Sequence, residues 1–267
     1  MKTEQARLLI KTPVRSHSIS LKNFYKYMNF EFMDLEYLPS SLRSALRDLL
    51  EISCNTRGFY HWVAADIYDY AIKNQISEII ELGAGCAPIT KTLIKDFPQW
   101  DVKFKITDIN PDLINFKKLE ATDNRITAVY ESHDFTKKFN LTKNTLLVLS
   151  ATFHHVDENR REKLLSNLKN SSNHVLIFEP IKPDIASKLL ALCGVFSGVI
   201  APLAKIKSKS FFRCMLWCWL VPIAPFMFSW DGIISSFRCW SRKKWKSQEP
   251  NSIVEETFLS AKITLKS

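Results

Sequence analysis

Apolar and polar positions along the middle of the chain follow two alternating patterns, which predicts strands separated by helices. Short apolar runs closed by Gly, Asp or Ser are typical of strands buried on both faces. Apolar residues three or four positions apart are typical of helices. These patterns predict strands at 79–82, 102–107, 126–130, 145–150 and 174–179, with helices at 88–96, 111–119 and 160–167. Strands alternating with helices predict an α/β fold whose sheet is doubly wound and mainly parallel.

The two ends of the chain have different patterns. Leucines from Leu38 to Leu50 recur at helical spacing, Ser40 and Ser41 are candidate caps, and a second helix is predicted at 59–72. Two nearly uncharged apolar runs, 189–204 and 215–229, follow the fifth strand, and the tail has strand-like pieces at 252–254 and 262–265. We therefore expect four parts: an N-terminal helical cap (1–75), a core (76–184), a hydrophobic helical insertion (185–240) and a tail that completes the sheet (241–267).

The insertion has three interpretations. A membrane-spanning helix needs about 20 apolar residues, whereas both runs are shorter and contain proline. The insertion could therefore lie on a membrane as a hairpin, cover the site as an apolar lid, or pack in a core or dimer interface. Membrane contact is favoured by flanking residues typical of a membrane interface. These are Trp217, Trp219, Trp230, Trp240, Trp245, Arg238, Arg242, Lys243 and Lys244.

Composition narrows the class of protein. The chain has 267 residues, of which 46% are hydrophobic, so it can bury a sizeable core. Its net charge of +10 suits nucleic acid, anionic lipid or simply a basic surface. The six cysteines form no CxxC pair and no histidine cluster completes a zinc site, so no metal is expected. The first 15 residues lack the apolar core of a signal peptide, so we expect a cytoplasmic protein. The insertion leads us to expect that it is associated with the membrane.

A glycine turn is the central motif. Glu81-Leu82-Gly83-Ala84-Gly85 lies between a predicted strand and helix, where glycine lets the backbone turn tightly and approach a ligand. Glu81 ends the first strand. Asp108 ends the second, at the spacing expected of a ribose-hydroxyl acceptor. Asp134 follows the third strand, where an adenine amino group could be met.

This series resembles the cofactor-binding motifs of class I S-adenosylmethionine (SAM)-dependent methyltransferases. Segments 30–39, 153–155, 177–179 and 230–238 are similar to a bacterial subgroup of methyltransferase-domain proteins with a hydrophobic C-terminal insertion. The resemblance implies a Rossmann-like core and SAM as the cofactor. The residues it implies for cofactor binding are Glu81, Gly83, Ala84, Gly85, Asp108, Ile109, Asp134, Phe135 and Ser150.

NAD is the rival ligand, and the sequence disfavours it. A dinucleotide needs its pyrophosphate at the helix N-terminus and a third glycine for close helix–strand packing. Pro88 occupies that third position, and no glycine follows it in the turn or in the predicted helix. The cationic sulfonium and amino groups of SAM instead favour an acid-rich pocket.

The segment after the fourth strand disfavours nucleic-acid chemistry. Methylation of DNA amino groups usually requires an Asn/Asp-Pro-Pro-aromatic element there, and methylation of pyrimidine carbon 5 requires a cysteine nucleophile. The chain has neither, so nucleic acid is not an expected partner. His154 and His155 are the candidate bases, because loops at strand carboxyl ends face the site. Alternatively, the paired histidines only close the pocket.

The sequence therefore predicts methyl transfer from SAM to a hydrophobic small molecule or a lipid-like acceptor. Two alternatives stay open: methylation of a soluble metabolite, and a membrane-bound scaffold that binds the cofactor without turnover.

Overall fold

The computed structural model describes residues 30–35, 37–132, 134, 141, 144–172 and 174–265. The chain from Glu31 onwards forms one compact unit. The predicted cofactor residue Phe135 and the leader before residue 30 lie outside the described residues.

A seven-stranded sheet organises this unit, in the order β3-β2-β1-β4-β5-β7-β6. The first five strands in that order run parallel, while β7 runs antiparallel to both β5 and β6. Their bounds are β1 Glu78–Leu82, β2 Lys103–Thr107, β3 Ile126–Ala128, β4 Thr145–Ser150, β5 His174–Glu179, β6 Ile253–Glu256 and β7 Ala261–Leu265. The predicted α/β class with a doubly wound, mainly parallel sheet is confirmed, and the tail completes the edge of the sheet.

Helices cover both faces of the sheet. They are α1 Ser40–Thr56, α2 Phe59–Lys73, α3 Pro88–Asp96, α4 Leu113–Thr122, α5 Glu158–Ser171, α6 Ile185–Cys193, α7 Ser197–Ala204, α8 Phe211–Met215, α9 Ile223–Arg238 and α10 Arg242–Gln248. In β4, Leu146 and Val148 face the core formed with α2, α3 and α4, while Leu147 and Leu149 face the core formed with α5 and α10. Burial on both faces explains why β4 is a continuous apolar run rather than an alternating one.

Several predicted caps and boundaries differ from the structure, among them the following three. Ser40 and Ser41 do not cap α1, because Pro39 occupies the N-cap position and no side chain bonds there. Helix α4 begins at Leu113, two residues after the predicted start, because the Asp112 carboxylate accepts a hydrogen bond from the Asn115 amide and caps the helix. Strand β3 ends at Ala128 rather than Tyr130.

The insertion forms two helical arms. The first arm runs through α6, a 3-10 turn (Gly194–Phe196) and α7. The second consists of α8, a π-helical turn (Leu216–Leu220) and α9, with a bend of 86° at the break. Pro222 is the N-cap of α9, at that break, where its ring prevents a continuous helix. Part of the insertion packs on α1 through Ala201, Cys218 and Ala224.

The first arm is longer than its sequence pattern predicts. It spans 20 residues, Ile185–Ala204, and by length and composition it could cross a membrane. The expectation that neither apolar run reaches this length is wrong, because the helix begins at Ile185 and Pro202 lies in its last turn, where it breaks little.

Candidate functional site

The glycine turn joins β1 to α3 and adopts a left-handed backbone conformation. The φ angles are 68° at Gly83, 55° at Gly85 and 52° at Ala87. A Cβ atom on Gly83 would lie 2.4 Å from Cγ2 of Thr152, so only glycine fits there. A Cβ on Gly85 would meet nothing within 4 Å. The turn is therefore packed against Thr152 at Gly83 and open at Gly85.

Asp108 holds the open part of this turn. Its Oδ2 accepts a hydrogen bond from the Gly85 amide at 2.7 Å, and its Oδ1 accepts one from the Asn110 amide at 2.7 Å. The neighbouring Ala84 amide donates to the carbonyl of Thr107 at 2.9 Å. The ends of β1 and β2 are thus joined at the turn. Ile109, which follows Asp108, is half exposed beside it.

Glu81 lies beneath the turn. Its Oε2 accepts hydrogen bonds from the Thr90 amide at 3.1 Å and from the Thr90 hydroxyl at 2.6 Å, at the start of α3. Burial raises the pKa of Glu81 to about 7, although these hydrogen bonds oppose the rise. In this structure Glu81 supports the first turn of α3.

Two other predicted cofactor residues lie at strand ends. The Ser150 hydroxyl, at the end of β4, is buried and has no hydrogen-bond partner among the described residues. A buried hydroxyl without a partner costs free energy unless a ligand or water satisfies it. Asp134 lies 3.2 Å from Nη2 of Arg160.

The two histidines follow β4 in a 3-10 turn, Phe153–His155, and have different partners. Nδ1 of the buried His154 lies 2.6 Å from Oε2 of Glu179, which ends β5. The His154 amide donates to the other oxygen of Glu179 at 3.2 Å. Its carbonyl accepts from Arg161 at 2.9 Å. Hydrogen bonds therefore hold both the backbone and the ring of His154.

His155 instead lies between two carboxylates. Its Nδ1 is 3.1 Å from Oδ1 of Asp34 and 3.4 Å from Oε2 of Glu31. Burial disfavours the imidazolium, but the carboxylates outweigh burial and raise the pKa of His155 to about 9. A histidine that is protonated at neutral pH cannot accept another proton there, so the geometry favours His154 over His155 as a base.

An ion-pair cluster joins the segment 31–34 to α9. Nη1 of Arg238 lies 3.1 Å from Glu31 and 3.2 Å from Asp34. The buried Asp231 accepts hydrogen bonds from the amides of Phe32 at 2.6 Å and Met33 at 3.1 Å. Burial raises the pKa of Asp231 to about 7. Sequence reasoning quoted these two segments only as part of a resemblance, because nothing local in either one indicates a partner 200 residues away.

These elements enclose a pocket of about 100 Å³ at the carboxyl ends of β4 and β5. Its polar lining includes Glu31, Ser53, Arg57, His154, His155, Asp231 and Ser235; its apolar lining includes Met33, Leu50, Ala151, Pro180, Ile181, Leu190, Ala191 and Phe228. Ala151 lines the pocket and the next residue, Thr152, packs on Gly83. The pocket and the glycine turn are therefore neighbours. Sequence reasoning missed Arg57, whose guanidinium donates to the carbonyls of Ser53 and Pro180.

Two sets of side chains have donor atoms close enough to share a metal ion. They are Glu31, His154 and His155, and His154, Glu179 and Cys239, with the donor atoms of each set within 4.8 Å of one another. In each set one candidate ligand is already bonded within the protein: Glu31 lies 3.1 Å from Nη1 of Arg238, and Glu179 lies 2.6 Å from Nδ1 of His154.

Comparison with known proteins was made at the level of sequence and of structure. No family model and no curated protein matches the sequence. The fold is similar to that of the plantazolicin methyltransferase BpumL in complex with SAH, with a TM-score of 0.50, 10% identity, and 83% of this chain and 90% of that chain covered. It is similar to a Nostoc punctiforme PCC 73102 protein assigned as an O-methyltransferase, with a TM-score of 0.50, 12% identity, and 84% and 60% covered.

Human N-acetylserotonin methyltransferase in complex with SAM also matches, with a TM-score of 0.48, 12% identity, and 85% and 55% of the two chains covered. The chain thus spans little more than half the length of several matched structures. The chain has the Rossmann-like fold of class I SAM-dependent methyltransferases.

Proposed function

We propose that the chain is a SAM-dependent methyltransferase that methylates a hydroxyl group of a small hydrophobic acceptor. One observation carries the proposal: the glycine turn and the His154–Glu179 pair are neighbours at the carboxyl edge of the sheet. His154 and Ala151 line the pocket, and the intervening Thr152 packs on Gly83 of the turn. In doubly wound sheets this edge is where ligands bind.

The turn provides the cofactor subsite in this proposal. Gly85 leaves room for close approach of a ligand, and Asp108 fixes the turn while keeping a carboxylate beside it. Ala84, Ile109, Ser150 and Asp134 complete the subsite, and the unpartnered Ser150 hydroxyl offers a donor to a bound carboxylate or hydroxyl. When bound, SAM supplies an electrophilic methyl group. The chain's own residues orient it and exclude water.

His154 serves as the base that prepares the acceptor. With its Nδ1 proton donated to Glu179, the neutral ring leaves Nε2 as a proton acceptor. His154 takes the proton of the acceptor hydroxyl, and the oxygen becomes the nucleophile. Glu179 holds the tautomer and stabilises the imidazolium that forms, as a carboxylate does beside other catalytic histidines.

The pocket's walls support a hydrophobic acceptor. Leu190, Ala191 and Phe228 of the insertion line it together with polar residues, so the pocket offers apolar surface for the body of the acceptor and polar groups for its hydroxyl. We place the enzyme in the cytoplasm and its insertion at a membrane surface.

The test is methyl transfer from labelled SAM to fractionated lipids and metabolites of a cell extract. We expect label in an apolar fraction, and we expect His154→Asn to lower kcat by about a hundredfold or more, since general-base catalysis contributes roughly 10²–10⁴-fold. The variant should bind SAM as the native chain does. Label in water-soluble metabolites alone would overturn the hydrophobic acceptor, and binding of SAM without any labelled product would favour a scaffold.

A further inference from the structure

The first arm of the insertion has an apolar stripe along its length. Leu189, Leu192, Phe196, Val199, Ile200 and Leu203 are exposed and follow one another at steps of three, four or one residues, which places them on one side of the helix. Only 28% of an 18-residue stretch of this arm is buried. Water-soluble monomers rarely leave so large a continuous apolar surface exposed, so the stripe indicates an interaction surface.

The second arm extends the same surface. Trp219 is exposed, and its indole Nε1 donates to the carbonyl of Val199 at 3.3 Å, so it lies against the stripe. The two arms are also close at Gly198, where an added Cβ would lie 2.1 Å from Cγ of Pro225. Phe212 and Phe226, exposed by 71% and 65%, belong to this second arm. We call the exposed apolar residues of both arms the insertion face.

The charged residues between positions 185 and 230 of the insertion are all basic. Residues 185–230 contain five lysines and arginines and no aspartate or glutamate. Lys205 and Arg213 pair with acidic residues of α1. Lys207 and Lys209, in the loop between the arms, are exposed and form no ion pair with other described residues. The insertion face therefore has uncompensated positive charge at its edge.

These features match an anionic bilayer better than a second copy of the chain. Apolar side chains, a tryptophan and lysines at the edge are typical of proteins that lie in the plane of a membrane. Two insertion faces packed with their loops aligned would bring Lys207 and Lys209 of both copies near one another, and repulsion between like charges opposes that arrangement. Anionic lipid headgroups would attract the same two lysines.

We infer that the insertion face docks on an anionic lipid surface and that the acceptor is an amphiphile dissolved in that membrane; the second part rests on the proposed methyltransferase activity. The two helices that carry exposed residues of this face also form the pocket wall. Leu190 and Ala191 of α6 and Phe228 and Gly232 of α9 line the pocket, while Leu189 and Phe226 on the same helices are exposed. A helix with its side chains is about 10 Å across. Docking therefore places the pocket one helix away from the lipid.

The docking is tested with the full chain and vesicles in a flotation assay. The chain should bind phosphatidylcholine–phosphatidylglycerol vesicles and bind pure phosphatidylcholine vesicles more weakly. Phe196→Ser, Phe212→Ser and Phe226→Ser combined should weaken binding by roughly tenfold or more per side chain. The control is Phe258→Ser, which removes a phenylalanine 79% exposed outside the insertion and should not change binding.

A charge-reversal pair gives an independent readout in case the triple variant does not fold. Lys207→Glu with Lys209→Glu should lower affinity for the anionic vesicles by roughly tenfold or more, since each basic residue near an anionic surface contributes about 1 kcal/mol. Lys117→Glu with Lys118→Glu, exposed on α4, makes the same change of charge elsewhere and should have little effect. Calorimetric SAM affinity should be the same in all these variants.

Two results would overturn the docking. One is a chain that ignores anionic vesicles at low salt while binding SAM. The other is a stable dimer in sedimentation that the phenylalanine substitutions dissociate. Both would leave the proposed methyltransferase activity intact. Vesicle binding by a chain that fails to bind SAM would show the reverse, that the docking holds and the proposed function does not. A chain that docks but methylates its acceptor equally well with and without vesicles would overturn delivery from the membrane.

Discussion

At the scale of single residues, the proposed cofactor subsite depends on the contact between Asp108 and the turn. Sequence spacing indicated this carboxylate as a ribose acceptor, and the structure adds that both its oxygens bond to backbone amides. In the proposed function Asp108 therefore has two roles, one on the shape of the turn and one on the hydroxyl groups of the bound cofactor.

We expect Asp108→Ala to weaken SAM binding by about ten- to a hundredfold. The reason is the loss of charged hydrogen bonds, worth about 1.5–3 kcal/mol each. Titration calorimetry measures the change. Asp101→Ala, which removes an exposed carboxylate before β2, is the control and should bind normally. A folded Asp108→Ala chain with native affinity would show that the subsite lies elsewhere.

Gly83 provides a prediction about stability. Gly83→Ala places a Cβ 2.4 Å from Thr152 at a φ of 68°, whereas Gly58→Ala meets nothing within 4 Å at a φ of 66°. Both substitutions cost about 1–2 kcal/mol for the left-handed backbone, and only the first adds a collision. Thermal unfolding should therefore show a larger drop for Gly83→Ala, which Thr152→Ala partly reverses. Equal drops would mean that Thr152 does not constrain the turn.

At the scale of elements, the strands of the sheet could be predicted from the sequence. The contacts that join segment 31–34 to α9 beside the pocket could not. Strands buried on both faces can be recognised in the sequence because they form an uninterrupted run of apolar residues, as in β4 and β5. The pairing of Asp231 and Arg238 with segment 31–34 depends on tertiary contacts between residues about 200 positions apart, which no local pattern encodes. The same limit explains why the sequence could offer His154 and His155 only as equals: their different carboxylate partners are on distant elements.

The His155 cluster makes stability depend on pH. The pKa of His155 is about 9 in the folded chain and near the ordinary value of 6.5 when unfolded, so the folded chain retains a proton that the unfolded chain loses. This stabilisation is complete below pH 6.5 and is lost as pH rises through 9. It amounts to about 1–3 kcal/mol, allowing for the partly exposed side chain.

Denaturant unfolding between pH 7 and 9 measures this contribution. The pKa values of Glu81 and Asp231 are both about 7, so these carboxyls finish titrating near the lower end of the window, and they do so in the native chain and in the variant alike. We expect the free energy of unfolding to fall across the window in the native chain and to stay flatter in His155→Gln. The same slope in both chains would show that segment 31–34 is held without a charged His155.

At the scale of the whole molecule, a Rossmann-like sheet is combined with a helical insertion of two arms. The tail completes the predicted edge of the sheet because Val254, Ile263 and Leu265 bury their side chains against α5 and α10. The first helical arm is longer than the apolar run 189–204, because it begins at Ile185, where the Asp184 carboxylate caps it by accepting a hydrogen bond from the Ser187 amide. Because α6 and α9 of the insertion line the pocket, the proposed acceptor site is close to the exposed apolar residues of the insertion.

The measurement that tests the central claim most directly is calorimetric titration of the purified chain with SAM, S-adenosylhomocysteine and NAD. We expect SAM and S-adenosylhomocysteine to bind, because the glycine turn and Asp108 accommodate the part of the molecule that both share. We expect NAD not to bind, because Pro88 occupies the position of the third glycine. Binding of NAD with no binding of the other two would contradict it.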